Sequence, residues 1–257
     1  MAELNGLPVA AEQLQALALT NYGHFTTLRV DDGRVRGFSL HLERLERDCR
    51  TLFGVDLDPA RVRALVRRMV PDRGAAVIRV TVFDPAIDIG RPERAVDPQV
   101  LVVRRAAGTL SPPPLSVSST RYVRDVPQVK GVGLFGALHQ RRAARLGGFD
   151  DALFVTPDGL VSEGGTWNIG FHDGERVVWP EADCLPGITM RLLQGARDHR
   201  VAPVPLADVP SMRAAFATNA AVGVRAISRI DGTELPGDHP VLDSLRQAYA
   251  EVAAEPV

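Results

Sequence analysis

Apolar and polar positions alternate along the chain in two rhythms, and the switches between them mark its elements. Phe25-Thr-Thr-Leu-Arg-Val30 has the two-residue period of a half-buried strand, Asp31-Asp32-Gly33 supplies a hairpin turn, and Arg34-Val35 begins the return. The period then lengthens. Leu42, Leu45, Cys49, Leu52 and Phe53 recur at helical spacing over His41 to Phe53, and Asp58-Pro59 opens a second helix predicted to reach about Val70. Ala75 to Phe83 and Gln99 to Arg104 are rich in β-branched residues and read as strands. Ala106 to Pro114, with three prolines after Ser111, fits neither rhythm and reads as a stiff, extended linker.

Beyond it the pattern predicts a strand at Leu115-Ser119, Lys130 at the end of a further strand, and a helix from about Phe135 to Leu146. Strands follow at Asp151-Val155 and Leu160-Ser162 around Pro157-Asp158-Gly159, then a hairpin across Asp173-Gly174 with strands near Ile169-Phe171 and Val177-Trp179. A helix should start at Thr189 after Pro186-Gly187. A strand through Ala215-Thr218, a turn at Asp231-Gly232 and a helix from Val241 to Val252 complete the chain. No internal repeat is visible. The fold class is α+β in two domains: a small α/β domain over 1–105, a linker over 106–114, and a larger domain over 115–257 on a mixed, largely antiparallel sheet.

With 257 residues and 45% hydrophobic content the chain can fill a substantial core. A net charge of −1 leaves no electrostatic footprint for nucleic acid or an anionic membrane. Arg67-Arg68 and Arg141-Arg142 read as solvated helix faces. Cys49 and Cys184 are far apart and outside any metal-ligand spacing, and none of the six histidines shows such spacing, so no metal is expected. The segment Met1 to Gly6 has no basic start of a secretory signal, and no run approaches 18 apolar residues, so a soluble, cytoplasmic protein is expected.

One basic residue stands apart. Of the 30 lysines and arginines, Lys130 is the sole lysine. A lysine amine can lose its proton on burial or beside a cation and attack a carbonyl, which arginine cannot do; codon bias offers the plainer explanation of a single surface lysine. Gly131-Val132-Gly133 after it lacks the third glycine and context of a dinucleotide fingerprint, and no serine sits in a nucleophile elbow. Three further features could complete a pyridoxal phosphate site, which needs a Schiff-base lysine, a carboxylate for the pyridine nitrogen and a phosphate cup. Glu163 lies in Val161-Ser-Glu-Gly-Gly-Thr-Trp-Asn168. Leu185-Pro-Gly-Ile-Thr189 precedes a helix, whose free amides suit a phosphate, and Arg44 in His41-Leu-Glu-Arg-Leu45 could add a charged fork. Taken singly and by residue type, Glu163 reads first as an exposed turn acid and Arg44 as a solvated helix residue; the 185–189 segment also fits a plain helix start, and Asn168 a turn-stabilising side chain.

In order along the chain, Tyr22-Gly-His-Phe-Thr-Thr27, the HLxRL motif at 41–45, Lys130, Gly159 to Glu163 with Asn168, the LPGIT motif at 185–189 and Thr218-Asn-Ala220 resemble the class IV aminotransferases. These are the fold-type IV pyridoxal phosphate enzymes, which include branched-chain and D-amino-acid aminotransferases and 4-amino-4-deoxychorismate lyase. The resemblance implies a small α/β domain and a larger one with a mixed, barrel-like core, the cofactor pyridoxal 5'-phosphate, and a homodimer with small amino acid and oxo acid substrates. It assigns Lys130 to the Schiff base and Glu163 to the pyridine nitrogen. The phosphate falls to Arg44, Ile188, Thr189, Thr218 and Asn219, and the substrate side to Tyr22, Thr27, Phe135 and Ala220.

The resemblance implies amino-group transfer between an amino acid or amine and a 2-oxo acid, the commonest activity of the family. Phe25-Thr26-Thr27 and the Arg121 to Pro127 segment resemble the lyase instead, which eliminates and releases pyruvate, with Thr27 as its catalytic hydroxyl. Leu134 and Phe135 stand where many members place asparagine or tyrosine, and Ala220 where the family has a phosphate-binding threonine. A cofactor-binding dimer without catalysis is the remaining alternative, and the retention of Lys130 with Glu163 argues against it.

Overall fold

The computed structural model describes residues 1–110 and 112–257, so Ser111 of the expected linker lies outside the described residues. The chain forms two compact units. One contains Met1–Ala107, Val129–Gly133 and Ala253–Val257; the other contains Gly108–Gln128 and Leu134–Val252. Two short segments that the sequence allots to the later domain therefore belong to the earlier unit. The reason lies in backbone bonding. Phe25 donates its N–H to the Lys130 carbonyl at 2.9 Å and Val132 donates to the Gly23 carbonyl at 2.9 Å, while Ala254–Pro256 pairs with Arg34–Arg36.

The first unit is a seven-stranded sheet under two helices. Its strands are β1 (Ala2–Leu4), β2 (Leu7–Pro8), β3 (His24–Asp31), β4 (Arg34–Arg36), β5 (Ala75–Phe83) and β6 (Gln99–Ala106), with Ala254–Pro256 added beside β4. A short helix α1 (Gln15–Thr20) precedes β3; α2 (Phe38–Phe53) and α3 (Pro59–Met69) cover the sheet. Alternation along β3 sends Leu28 and Val30 into one core with Ile78, Val80, Val82, Val100 and Val102, and α2 and α3 close it with Phe38, Leu45, Cys49, Val62 and Met69. Phe25, Thr27 and Arg29 occupy the other face. Helix α2 starts at Phe38 rather than His41 because Gly37, at φ 69°, turns the chain out of β4 in a conformation that costs other residues more. Helix α3 starts as expected, with the Asp58 side chain accepting the Ala60 N–H and Pro59 in the first turn.

The second unit is a closed barrel. Strands β7 (Leu115–Arg121), β8 (Asp151–Val155), β9 (Val161–Gly164), β10 (Asn168–His172), β11 (Val177–Pro180), β12 (His199–Ala202), β13 (Ala214–Asn219), β14 (Gly223–Ile230) and β15 (Thr233–Glu234) run in the order β12, β11, β10, β13, β14, β7, β8, β9. A single pair, Asn168 opposite Glu163, joins β10 to β9 and closes six strands on themselves. Leu115, Val117, Leu153, Val161, Ile169, Phe171, Ala215, Ala217 and Ile227, from all six, fill the interior. Outside, α5 (Ile188–Ala196) and α6 (Pro240–Glu251) cover Phe216, Val224 and Ala226, and α4 (Phe135–Leu146) covers Ala152 and Phe154. The sheet is mixed: β14–β7, β7–β8 and β11–β12 are parallel and the other pairings antiparallel.

Of the arginines expected to be solvated, Arg67 is exposed and Arg141 half-buried, and both also hold partners. Arg141 grips the buried Asp151 through both carboxylate oxygens at 2.8 and 2.7 Å and reaches Thr166, and Arg67 donates to the Val257 carbonyl at 2.9 Å through Nε. Among the described residues no helix is long and apolar enough to cross a membrane.

Candidate functional site

The residues singled out from sequence fall into two groups, one on each unit. In the first, Lys130 lies in irregular chain just before a single bridge from Gly131 to His24, not at the end of a strand. Both its backbone groups are bonded: the carbonyl accepts from Phe25, and the N–H donates to Asp48 Oδ2 of α2 at 3.0 Å. Its ammonium sits 4.8 Å from the centre of the Phe25 ring, within cation–π reach, and the Arg79 guanidinium covers that ring at 3.6 Å. Thr27 is half-buried two residues along β3, on the same face as Phe25, and opposite Arg79 across the ladder. Gly23 makes the close stitching possible: a Cβ there would stand 2.6 Å from the Val82 carbonyl oxygen.

Arg44 is 4% exposed, not solvated. From α2 it donates to Thr26 Oγ1, and that hydroxyl lies 2.7 Å from His41 Nδ1. Burial, and then the charges of Arg44 and Lys130, hold His41 well below the usual imidazole range. His24 beside them is pushed down to about 3 by burial, Arg44 and Arg47. Tyr22 is engaged elsewhere: its hydroxyl donates to the Leu52 carbonyl at 2.9 Å and its ring meets the edge of Phe53.

The second group surrounds the seam of the barrel. Glu163, Asn168 and Thr218 stand side by side on β9, β10 and β13, because Asn168 is opposite Glu163 on one side and Thr218 on the other. A bulge re-aims Glu163. The β8–β9 register shifts between Leu153 and Val155, so Val161 enters the interior while Glu163, two residues on, shares the outward row with Asn168. The Glu163 carboxylate is 5% exposed, paired with Arg124 at 2.7 Å, and accepts the Leu185 N–H through Oε2 at 3.2 Å. Asn168 donates to the Leu185 carbonyl at 2.7 Å. One residue of the LPGIT turn is thus held from both sides, which gives Asn168 a structural role. Glu163 also helps raise the Cys184 thiol to about 11, after burial as the main cause.

Helix α5 begins at Ile188 behind Gly187, which brings no side chain to cap the first-turn amides. Thr189 and Thr218 are each 1% exposed, and neither hydroxyl has a hydrogen-bond partner among the described residues. Two buried, unsatisfied hydroxyls, one beside uncapped amides and one beside Glu163 and Asn168, fit a cup for a polar, anionic group. The remaining candidates are placed differently. Asn219 spends its side-chain oxygen on the Ala221 and Val222 N–H groups, Ala220 is half-buried beside it, and Phe135 is 84% exposed at the start of α4, stacked on His139. Sequence reasoning gave no role to Asp48, Thr26 or His41, and noticed Arg124 only as part of a local pattern. A buried acid seven residues after His41 on the same helix is the available signal for Asp48.

Residues 23–230 match the model of the family described as amino-transferase class IV. A probable branched-chain-amino-acid aminotransferase of Rickettsia felis (strain ATCC VR-1525 / URRWXCal2) is 29% identical over 128 residues, 46% of this chain and 44% of that protein, so the match spans less than half of this curated relative. Among solved structures, a protein of Legionella pneumophila subsp. pneumophila str. Philadelphia 1 provisionally assigned as a 4-amino-4-deoxychorismate lyase superposes with a TM-score of 0.85 at 22% identity, over 96% of each chain. A hypothetical aminotransferase of Mycobacterium tuberculosis in its PLP-bound form gives 0.81 at 19%, over 97% of each. These two share the fold. The family match covers most of the sequence and every motif from Gly23 to Ile230: the chain belongs to the class IV aminotransferase family.

Proposed function

We propose that this protein is a pyridoxal-phosphate-dependent aminotransferase that moves an amino group between an amino acid or amine and a 2-oxo acid. The observation that carries the reading is the burial of charge: Arg44 and Glu163 are 4% and 5% exposed, each held by specific partners, at a cost that ordinary surface roles do not explain. Bound pyridoxal phosphate supplies an aldehyde for the amine and a ring that accepts the electron pair left at Cα. Lys130 would provide the amine that holds the cofactor, and its Nζ would carry the Cα proton. Glu163, with Arg124 as counter-charge, would keep the pyridine nitrogen protonated. Arg44, the Ile188 and Thr189 amides, and the Thr189 and Thr218 hydroxyls would take the phosphate, with Asn219 shaping its loop, and Ala220 would border the substrate; Tyr22, held by Leu52 and Phe53, would support β3 instead. Exposed Phe135, Leu138 and Leu146 along α4 suit the homodimer that this reading expects, and the two free cysteines suit the cytoplasm.

A second reading has one observation in its favour. Thr27 shares the β3 face over which Lys130 stands, which suits a hydroxyl that assists elimination as in the lyase. Mixing purified protein loaded with pyridoxal phosphate with L- and D-amino acids, amines and aminodeoxychorismate separates the two. Conversion to the pyridoxamine form is expected; pyruvate release with the starting spectrum restored supports the lyase instead. Borohydride reduction and peptide mapping should place the cofactor on Lys130, and a label elsewhere rejects both.

A further inference from the structure

We propose that Asp48 is a positioning residue for Lys130, anchoring its backbone and keeping a negative charge beside the bond between lysine and cofactor. This rests on the function proposed above. Asp48 is completely buried on α2. One oxygen accepts the Lys130 N–H, and the other accepts two bonds from Arg47 at 3.0 and 2.7 Å. Among the described residues, the segment Val129–Gly133 has no ladder of its own beyond the Gly131 bridge. Phe25 fixes the Lys130 carbonyl, Gly23 receives the Val132 N–H, and Asp48 takes the N–H that β3 leaves over. With both backbone groups bonded, the Lys130 side chain departs from a fixed Cα.

A backbone N–H needs only a neutral acceptor, and an amide or hydroxyl would serve without the desolvation that a carboxylate incurs. Burying an acid here, with a guanidinium brought in to hold it, points to a use for the charge. The charged and titratable groups on the elements that hold Lys130, β3, its neighbour β5 and α2, define that use. Arg44 and Arg47 on α2 and Arg79 on β5, over the Phe25 ring, are permanent cations, while His24 on β3 is held neutral by burial, Arg44 and Arg47, and His41 on α2 by burial, Arg44 and Lys130 itself. Asp48 is the anion of this set. A Schiff-base nitrogen gains positive charge on protonation, so the cations oppose that proton and Asp48 favours it.

The test uses the cofactor-loaded protein and, separately, the apoprotein. In the loaded protein the pH midpoint of the visible band reports protonation of the lysine linkage. Asp48→Asn keeps an acceptor and removes the charge, so the midpoint should fall by about one pH unit, with exchange of the Lys130 amide in the apoprotein unchanged within about threefold. Asp48→Ala should also speed that exchange by at least about tenfold. Arg47→Gln, changed on the half-exposed side of the pair, should move the midpoint upward. An unchanged midpoint in Asp48→Asn overturns the electrostatic role. Unchanged amide exchange in Asp48→Ala overturns the anchor, and if that variant does not fold, Asp48→Leu at matched temperature reads the same exchange. Wild-type protein with no visible band on adding pyridoxal phosphate would sink the proposed function, while the exchange experiment would still judge the anchor.

Discussion

At the scale of single residues, the space between β3 and α2 holds two imidazoles that take up a proton in the folded state only well below their ordinary pH range. His24 is fully buried and lowered to about 3, and His41 is lowered well below 6.5; burial is the largest cause for both, followed by Arg44. Unfolding frees them to titrate near 6.5. Their folded values lie below the unfolded ones, so above about pH 6.5 neither state binds the proton and they do not bias folding. Below that, the unfolded state gains protons that the folded state refuses, and stability falls by up to about 1.4 kcal/mol per pH unit for each imidazole until the folded group titrates. Between about pH 6.5 and about pH 5, His24 alone should therefore cost the apoprotein about 2 kcal/mol. His24→Leu should lose that much less stability over the same interval in urea denaturation, and parallel losses in the two proteins would show that His24 is not the responsible group. These residues also mark the limit of the sequence. Arg44 and Glu163 were legible because ordered motifs single them out. Asp48 and Arg124 were not, since their partners Lys130 and Glu163 lie 82 and 39 residues away and only folding brings them together.

At the scale of elements, the LPGIT turn shows how the barrel seam and the start of α5 are made one structure. The Asn168 side chain occupies the space where a Gly187 Cβ would stand, 2.0 Å from its Oδ1, and its amide group holds the Leu185 carbonyl whose N–H is held by Glu163. Gly187→Ala must push Asn168 off the Leu185 carbonyl. The expected cost is about 1–3 kcal/mol, the range for overpacking a closed site, with weaker binding of inorganic phosphate to the apoprotein. Asn168→Ala makes room, so the double variant should cost less than the sum of the singles. Strict additivity in a denaturant cycle would mean the two do not share the space. Other elements were legible to differing degrees for physical reasons. Helices α2 to α6 carry strong apolar periodicity and were found within a few residues. The β1–β2 hairpin was overlooked although Asn5-Gly6, at φ 51° and 85°, is the turn signal for it. Strand β14 was missed because a shift between Ile227 and Arg229 breaks its alternation, and β12 because it is short and its two middle residues, Arg200 and Val201, are exposed.

At the scale of the whole molecule, the chain leaves the small unit after Ala107, returns for Val129–Gly133, and returns again for Ala253–Val257. Each return completes something that local sequence does not announce. The first delivers the only lysine to β3 and α2. The second delivers an edge strand, since Ala254–Pro256 pairs with β4, and Val257 enters the core at 6% exposure. Arg63 and Arg67 of α3 donate to the Pro256 and Val257 carbonyls, and the Glu255 carboxylate accepts the Ser39 N–H and hydroxyl at the start of α2. Deleting residues 254–257 removes a buried valine worth about 1.5–3 kcal/mol, leaves β4 as an open edge, and strips an acid from the α2 N-terminus. Hydrogen exchange should then accelerate in β3, β4, α2 and α3, and at Lys130, whose N–H and carbonyl are fixed to α2 and β3. The barrel strands β10 and β13 should keep their protection, because none of the lost contacts touches them. Restoring only the strand, with Val257→Asp in place of the deletion, should recover protection in β4 but not in the core of α2 and α3. Equal acceleration in the barrel would refute the assignment of this segment to the small unit, and an unchanged Lys130 amide would separate the lysine segment from the unit that carries it.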